Sequence, residues 1–199
     1  IRPDRWADSA MSGELVFDYI VVGAGSAGCA AAYRLAHNSE ASVLLIETGG
    51  GDSHPMYRMP IGFALLMGEG KGNWNYHTRP EPALGDREIA LPRGRVLGGC
   101  SAINGMVYIR GQRQDFDGWA AEGNTGWSYD EVLPLFKRSE NYHGGSTPFH
   151  GSGGPLDVGT VARPMAVADA FIEAAVGSGI PRNTDFNSEQ QLGVGYYDV

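Results

Sequence analysis

The chain has 199 residues, 42% of them apolar and only 19% charged. That balance excludes a disordered chain, and the length admits one domain with part of a second. A formal charge of −8 repels a nucleic-acid backbone, and no apolar run reaches the ~18 residues of a membrane span.

Residues 1–16 read as an N-terminal extension. The segment is polar, with Arg2, Asp4, Arg5 and Asp8, and has no apolar core of a secretory leader. Met11 is a candidate native start. With no leader and two widely spaced cysteines, Cys29 and Cys100, the expected compartment is the cytoplasm.

The first organised unit follows. Asp18-Tyr-Ile-Val-Val22 is a β-branched apolar run that predicts a buried strand. Gly23-Ala-Gly-Ser-Ala-Gly28 predicts a tight turn, Cys29 to Ala36 a helix, and Ser42-Val-Leu-Leu-Ile-Glu47 a second buried strand. Strand, turn, helix and strand span the length of one β-α-β unit. From Asp52 to Gly94 the chain is rich in Gly, Pro and aromatic residues without a long period, as expected of a segment laid over a ligand. Glu69 to Lys71 reads as a solvated loop within it. Residues 115–140 predict helix, with a capping box at Ser128-Tyr-Asp-Glu131. Trp119, Trp127 and Phe136 are expected in its core. Gly144 to Gly154 reads as a glycine-rich linker and places a domain boundary there. Pro155 to Val158 predicts a strand. Met165 to Val176 predicts an amphipathic helix that buries Met165, Ala168, Phe171, Ile172 and Ala175.

Two clusters carry chemistry. In Gly23-x-Gly25-x-x-Gly28, the first glycine permits the turn, the second lets a diphosphate approach the backbone, and the third lets helix and strand pack closely. The helix N-terminus behind it offers N–H groups and partial positive charge. Glu47 closes the second strand 19 residues after Gly28, near the spacing of the acidic residue that binds ribose hydroxyls. An acid there disfavours a 2′-phosphate. The second cluster is Arg93-Gly-Arg-Val-Leu-Gly-Gly-Cys-Ser-Ala-Ile-Asn-Gly-Met106. Its glycines, with Arg95, Ser101 and Asn104, suit the remainder of a dinucleotide, although the spacing alone equally describes a glycine hairpin. The five histidines, His37, His54, His77, His143 and His150, are expected to be structural or on the surface.

Several motifs now stand in one order: Asp18 to Cys29, Leu44-Leu-Ile-Glu-Thr-Gly49, Asn73-Trp-Asn-Tyr76, Gly94 to Met106, Asp115-Phe-Asp-Gly-Trp119 and Gly126 to Glu140. In this the chain resembles the glucose–methanol–choline (GMC) oxidoreductases, with a choline-dehydrogenase-like flavour, from about Phe17 to Val199. The resemblance implies an α/β fold: a Rossmann-like FAD-binding domain over residues 17–150, with a cofactor-covering segment at 52–94. The start of an α+β substrate domain would occupy residues 151–199. It implies FAD, not NAD. Gly23, Gly25, Ser26, Ala27 and Gly28 would hold the diphosphate, and Glu47 with Thr48 the adenosine side. Trp74 would lie in the covering segment. Arg95, Val96, Gly99 and Ser101 would line the pyrophosphate and ribityl chain. Asn104, Gly105, Met106 and Val107 would face the isoalloxazine. Some relatives tether the flavin through a histidine just before the Asn. Ile103 stands there, so non-covalent FAD is expected. Cys100 takes a place where many relatives have Ser, as a small buried thiol.

The family's catalytic histidine matches none of the five here and would lie in a C-terminal remainder, which would be this chain's partner. The implied activity is oxidation of a small alcohol, primary by preference, to the aldehyde. A lyase or photodecarboxylase on the same scaffold, or a flavin binder without chemistry of its own, is the alternative.

Overall fold

A computed structural model describes residues 15–59, 61–68 and 72–199. The N-terminal extension, apart from its last two residues, and the Glu69–Lys71 loop fall outside the described residues. The chain divides into two compact units, Ile1–Met106 and Val107–Val199. The division therefore falls well before residues 144–154.

In the first unit, β1 (Tyr19–Val22) pairs in parallel with β2 (Val43–Ile46), Tyr19 opposite Val43 and Val22 opposite Ile46. Between them runs α1 (Ser26–Asn38). Its alanine-rich sequence has no β-branched residue to restrict the helical rotamers. It starts three residues earlier than the sequence suggests, because Gly25 is its N-cap and Cys29 N–H already donates to Gly25 O at 2.9 Å. At its end Ser39 turns to extended backbone.

The two strands are apolar but not buried. Tyr19, Ile20, Val22, Leu45 and Ile46 are all exposed, Val22 at 81%. The strands have α1 beside them and, among the described residues, no third strand. Composition made these strands apolar; covering them needs neighbours that local sequence cannot supply.

A single 3₁₀ turn at Pro55–Arg58 leads into the short α2 (Gly62–Gly68). A two-residue ladder then joins β3 (Tyr76–His77) to β4 (Ala90–Leu91) in antiparallel register. The small core of this unit is Leu66, Val96 and Ile103, with Met56, Tyr57 and Ala102 packed against it.

In the second unit the helical stretch is two helices, α3 (Arg113–Ala121) and α4 (Tyr129–Ser139), not one. Gly123 at φ +97° and Gly126 at φ +88° turn the chain between them, in a region that other residues avoid. Both helices open with reciprocal capping boxes: Gln112 with Asp115, and Ser128 with Glu131 as the sequence predicts. Phe116, Tyr129 and Val132 form the shared core, with Leu133 and Phe136 packed on it. Trp119 and Trp127 are half exposed and meet edge to face with centroids 5.6 Å apart; Trp119 also meets Phe116 edge to face at 5.5 Å, so the pair lies at the margin of that core rather than inside it.

β5 (Glu140–Tyr142) pairs in parallel with β6 (Leu156–Val158). The glycine-rich segment between them is a packed loop rather than a linker. A Cβ on Gly151 would stand 1.8 Å from Lys137 O, and Lys137 Nζ donates to Thr147 O at 2.7 Å. α5 (Ala166–Gly177) forms as predicted but buries only Ile172. Ala168 and Ala175 are half buried, while Met165 and Phe171 are exposed. No helix among the described residues is long and apolar enough to cross a membrane.

Candidate functional site

The first unit brings the two glycine clusters together, although about seventy residues separate them in the chain. Gly98 N–H donates to Ala24 O at 2.8 Å, and Gly25 and Gly98 form a parallel bridge. A Cβ on Gly99 would lie 2.7 Å from Gly25 Cα, so only glycine lets these two turns touch. The end of β2 joins the same junction: Leu97 N–H donates to Gly50 O at 3.0 Å, and a Cβ on Gly49 would strike Arg95 O at 2.0 Å.

Within the first turn the three glycines are needed for different reasons. Gly23 has φ +97° and donates its N–H to Ile46 O at 2.7 Å. Gly28 has no room for a side chain, because its Cβ would stand 1.9 Å from Gly23 O. Gly25 is different. Its φ of −80° suits any residue, and its Cβ would meet nothing nearer than Gly99 Cα at 4.0 Å. Nothing inside the protein demands glycine there, which is what space held for a ligand looks like. No side chain caps α1, and no acidic residue stands in its first turn. Its first amides and their dipole are thus left open for an anion.

Glu47 stands at the mouth of this turn. Its carboxylate accepts from Ala24 N–H at 2.9 Å and from Gly49 N–H at 2.8 Å, one bond to each oxygen. The Gly49 N–H first, then that of Ala24, hold the carboxyl below its ordinary 4.5. An anionic carboxylate with one donor on each oxygen keeps free lone pairs for two further donors such as vicinal hydroxyls. Ser26, Ala27 and Thr48 beside it are exposed.

The covering segment contributes Trp74. Its N–H donates to Arg93 O at 2.8 Å, its ring stacks on Tyr76 at 5.8 Å, and the Arg95 guanidinium lies 5.0 Å from its centroid. Asn73 Oδ1 accepts from Arg93 N–H and Asn75 N–H and so fixes this segment against the second cluster. Arg95 is exposed, whereas the Val96 side chain lies in the core, so only the backbone of Val96 is available to a ligand. Gly99 is buried against Gly25, and Ser101 Oγ donates to Gly98 O at 2.6 Å. Ile103 is also in the core. Asn104 Oδ1 accepts from Met106 N–H at 3.0 Å, and Met106 takes the left-handed φ of +59°. Asn104, Gly105 and Met106 are exposed. A Cβ on Gly105 would meet nothing within 4 Å, so this glycine too has no reason inside the chain. Val107, the first residue of the second unit, is exposed. Cys29 and Cys100 are both exposed rather than packed away; Cys29 Sγ donates to Ala24 O, and Cys100 Sγ accepts from Gly94 N–H.

One group of residues was missed by sequence reasoning. In the second unit Arg110, Glu140 and His150 are almost fully buried together. His150 Nδ1 faces Glu140 Oε1 at 3.1 Å and its Nε2 faces Asp185 Oδ2 at 3.1 Å. Arg110 Nη2 stands 2.7 Å from Glu140 Oε1 as an ionic contact rather than an aligned hydrogen bond. Burial and the nearby Asp185 raise the carboxyl of Asp198, which is buried at the same place. The available signal was Arg110 directly after the apolar run Met106–Ile109.

Three comparisons with known proteins bear on this site. Residues 17–199 match the family model described as GMC oxidoreductase. The oxygen-dependent choline dehydrogenase of Sinorhizobium fredii (strain NBRC 101917 / NGR234) is 47% identical over 180 residues, 89% of this chain and 32% of that protein. That of Rhizobium etli (strain CIAT 652) is 46% identical over 178 residues, with the same coverage. Among solved structures, pyridoxine 4-oxidase from Mesorbium loti superposes with a TM-score of 0.87 at 35% identity, over 92% of this chain and 36% of that one. An FAD-dependent oxidoreductase from Chaetomium thermophilum gives 0.79 at 27% identity, over 92% and 33%. The chain thus spans about a third of the length of the curated relatives it matches.

Proposed function

This chain belongs to the GMC oxidoreductase family, and from that premise we propose that it is the cofactor-anchoring portion of an enzyme that oxidises a small, primary alcohol to the aldehyde with non-covalent FAD. The observation that carries the reading is Gly25. It sits at the uncapped N-terminus of a thirteen-residue helix, needless to the fold, beside a carboxylate held anionic.

When bound, FAD supplies the acceptor for the hydride that leaves the alcohol carbon. The chain's own residues bind and orient it. The amides of Ser26, Ala27 and Gly28 would hold the diphosphate, and Glu47 would accept the ribose hydroxyls beside Thr48. Trp74 and Arg95 would lie along it. Ser101 and the Val96–Gly99 backbone would line the middle, and the Asn104 to Val107 backbone the ring edge. Residues 17–150 would then serve the cofactor and 151–199 begin the substrate side, a division by ligand rather than by compactness.

The proton from the alcohol hydroxyl would go to a histidine outside this chain. His150 does not serve, since both its ring nitrogens already face carboxylates. The remainder of the protein would also cover the exposed apolar side chains of β1 and β2. Two unpaired cysteines fit a reducing compartment, the cytoplasm.

The test uses the complete enzyme. Its absorption spectrum should show flavin, acid denaturation should release that flavin, and an alcohol should bleach it without oxygen. Bleaching by no alcohol would point instead to a lyase or photodecarboxylase, and flavin that stays attached would refute the non-covalent reading.

A further inference from the structure

Asn104–Gly105 is the one place in the chain where a glycine follows an asparagine. Both residues belong to the first unit and both are exposed, so water reaches them. In such a pair the glycine nitrogen can attack the side-chain carbonyl carbon of the asparagine, because no Cβ hinders the approach or restricts the backbone. Three features then decide whether a fold permits the attack: how the carbonyl is held, whether the attacking nitrogen is engaged, and whether the leaving amide is engaged.

At Asn104 all three are favourable. Its Oδ1 accepts from Met106 N–H at 3.0 Å, which folds the side chain back across the Gly105 peptide. The same N–H is a fixed donor at the oxygen on which negative charge grows during attack, and donors so placed stabilise an oxyanion. Neither Gly105 N–H nor Asn104 Nδ2 has a hydrogen-bond partner among the described residues.

The other asparagines lack one feature or more. Asn187 is 4% exposed, its Oδ1 accepts from Arg110 N–H and its Nδ2 donates to Tyr108 O. Asn124, Asn141 and Asn183 commit Nδ2 to Trp119 O, the Asp157 carboxylate and Gln190 O. The N–H that follows Asn73 donates to Arg93 O. Asn38 and Asn75 are followed by Ser39 and Tyr76, whose side chains crowd the approach.

We propose that Asn104 is a site of spontaneous deamidation, which the fold presents rather than protects. Gly105 N gives its proton to solvent and bonds to Asn104 Cγ. The Cγ–Nδ2 bond breaks, and the nitrogen takes a proton from water and leaves as ammonia. A second water then opens the cyclic imide. Opening at Cγ leaves aspartate; opening at the backbone carbonyl leaves isoaspartate, with the chain rerouted through Cβ and Cγ. Either product puts a new carboxylate beside the second glycine cluster. The proposal needs no flavin and stands on three consecutive residues of one unit. A flavin bound there, on the reading above, would shield the pair and slow the reaction.

The experiment ages the full-length protein at mildly alkaline pH, as isolated and after removal of its flavin, with circular dichroism to show that each sample stays folded. The same chain unfolded in urea is the reference. Peptide mass spectrometry that separates aspartate from isoaspartate gives the rate at each asparagine. Asn104 should be modified before any other asparagine, with both isomers present, and in at least one folded sample as fast as in the unfolded chain or faster. Slower reaction at Asn104 in both folded samples than in urea overturns the proposal, and so does earlier modification of any other asparagine. Gly105→Ala has room for its Cβ, which would meet nothing within 4 Å. In that variant Asn104 should stay unmodified over the same ageing, and an undiminished rate overturns the proposal. Failure of the flavin reading looks different: the isolated enzyme would carry no flavin, while the same digest still decides the deamidation.

Discussion

The two units each gather their chemistry at one place, and they do so on opposite terms. In the first, the Gly23–Gly28 turn leaves the first amides of α1 without a side-chain cap, and the Gly94–Met106 cluster packs against it. In the second, Arg110, Glu140, His150 and Asp185 present side chains and turn them on one another. Counting ionisable residues would favour the second as the reactive centre. His150, Asp185 and Asp198 even lie within 4.8 Å of each other, a spacing a metal would accept. Yet both nitrogens of His150 are committed, while the first amides of α1 have no cap. A binding site is recognised by groups the fold leaves open, and a framework by groups it satisfies.

The contrast breaks most sharply at Glu140. Glu140→Leu would leave Arg110 buried without its counter-charge and should destabilise the protein by about 3–5 kcal/mol, read from denaturant midpoints of the complete enzyme. A loss below ~1 kcal/mol would show that the group is not a framework.

The next two substitutions separate fold from ligand within a single turn. Gly28→Ala drives a Cβ into Gly23 O and should cost about 3 kcal/mol of stability whether or not flavin is present. Gly25→Ala has room in the protein and should leave the unliganded stability within ~0.5 kcal/mol while weakening FAD binding by about tenfold or more. Equal flavin affinity in Gly25→Ala and wild type, measured by fluorescence titration, would remove the ligand from that turn.

Glu47 gives a pH test. Its carboxyl is held below 4.5 by the Gly49 and Ala24 amides, so the folded state binds its proton less readily than the unfolded chain. The stabilisation this brings is present above the unfolded pKa and is lost as the pH falls through the folded one. Glu47→Gln should therefore be less stable than wild type near neutrality, and the gap should close progressively below about pH 4.5. Parallel acid-unfolding curves would mean that the two backbone bonds contribute nothing.

The smallest effect belongs to α4. Ser128→Ala removes half of its capping box and should cost about 1 kcal/mol without changing flavin affinity.

Much of the site was legible because its signals are local. Strand, glycine turn, helix and acid occur in sequence order, and each glycine type in the turn has a mechanical reason. The capping box at Ser128 was legible for the same reason, since its partners are three residues apart. What misled was burial. Met165 and Phe171 lie on a helical spacing that predicts a buried face, but spacing says which residues share a face and not what lies opposite. Trp119 and Trp127 failed likewise: large aromatic residues are core candidates by type, and here both stay half exposed, Trp119 against the edge of the core at Phe116 and Trp127 against Trp119. The loop at 144–154 looked like a linker by composition, because glycine serves equally for freedom and for close approach.

The order of residues by itself determined the β-α-β unit, the glycine turn, the carboxylate at the end of β2 and the family. All of these depend on contacts a few residues long or on spacings along one chain. Only the tertiary structure decided that Gly99 packs on Gly25, that Val96 and Ile103 turn into a core, and that Arg110, Glu140, His150 and Asp185 meet. Those pairings join residues up to 74 positions apart, and their free energy comes from burial and from exclusion of water, which exist only once distant segments have come together.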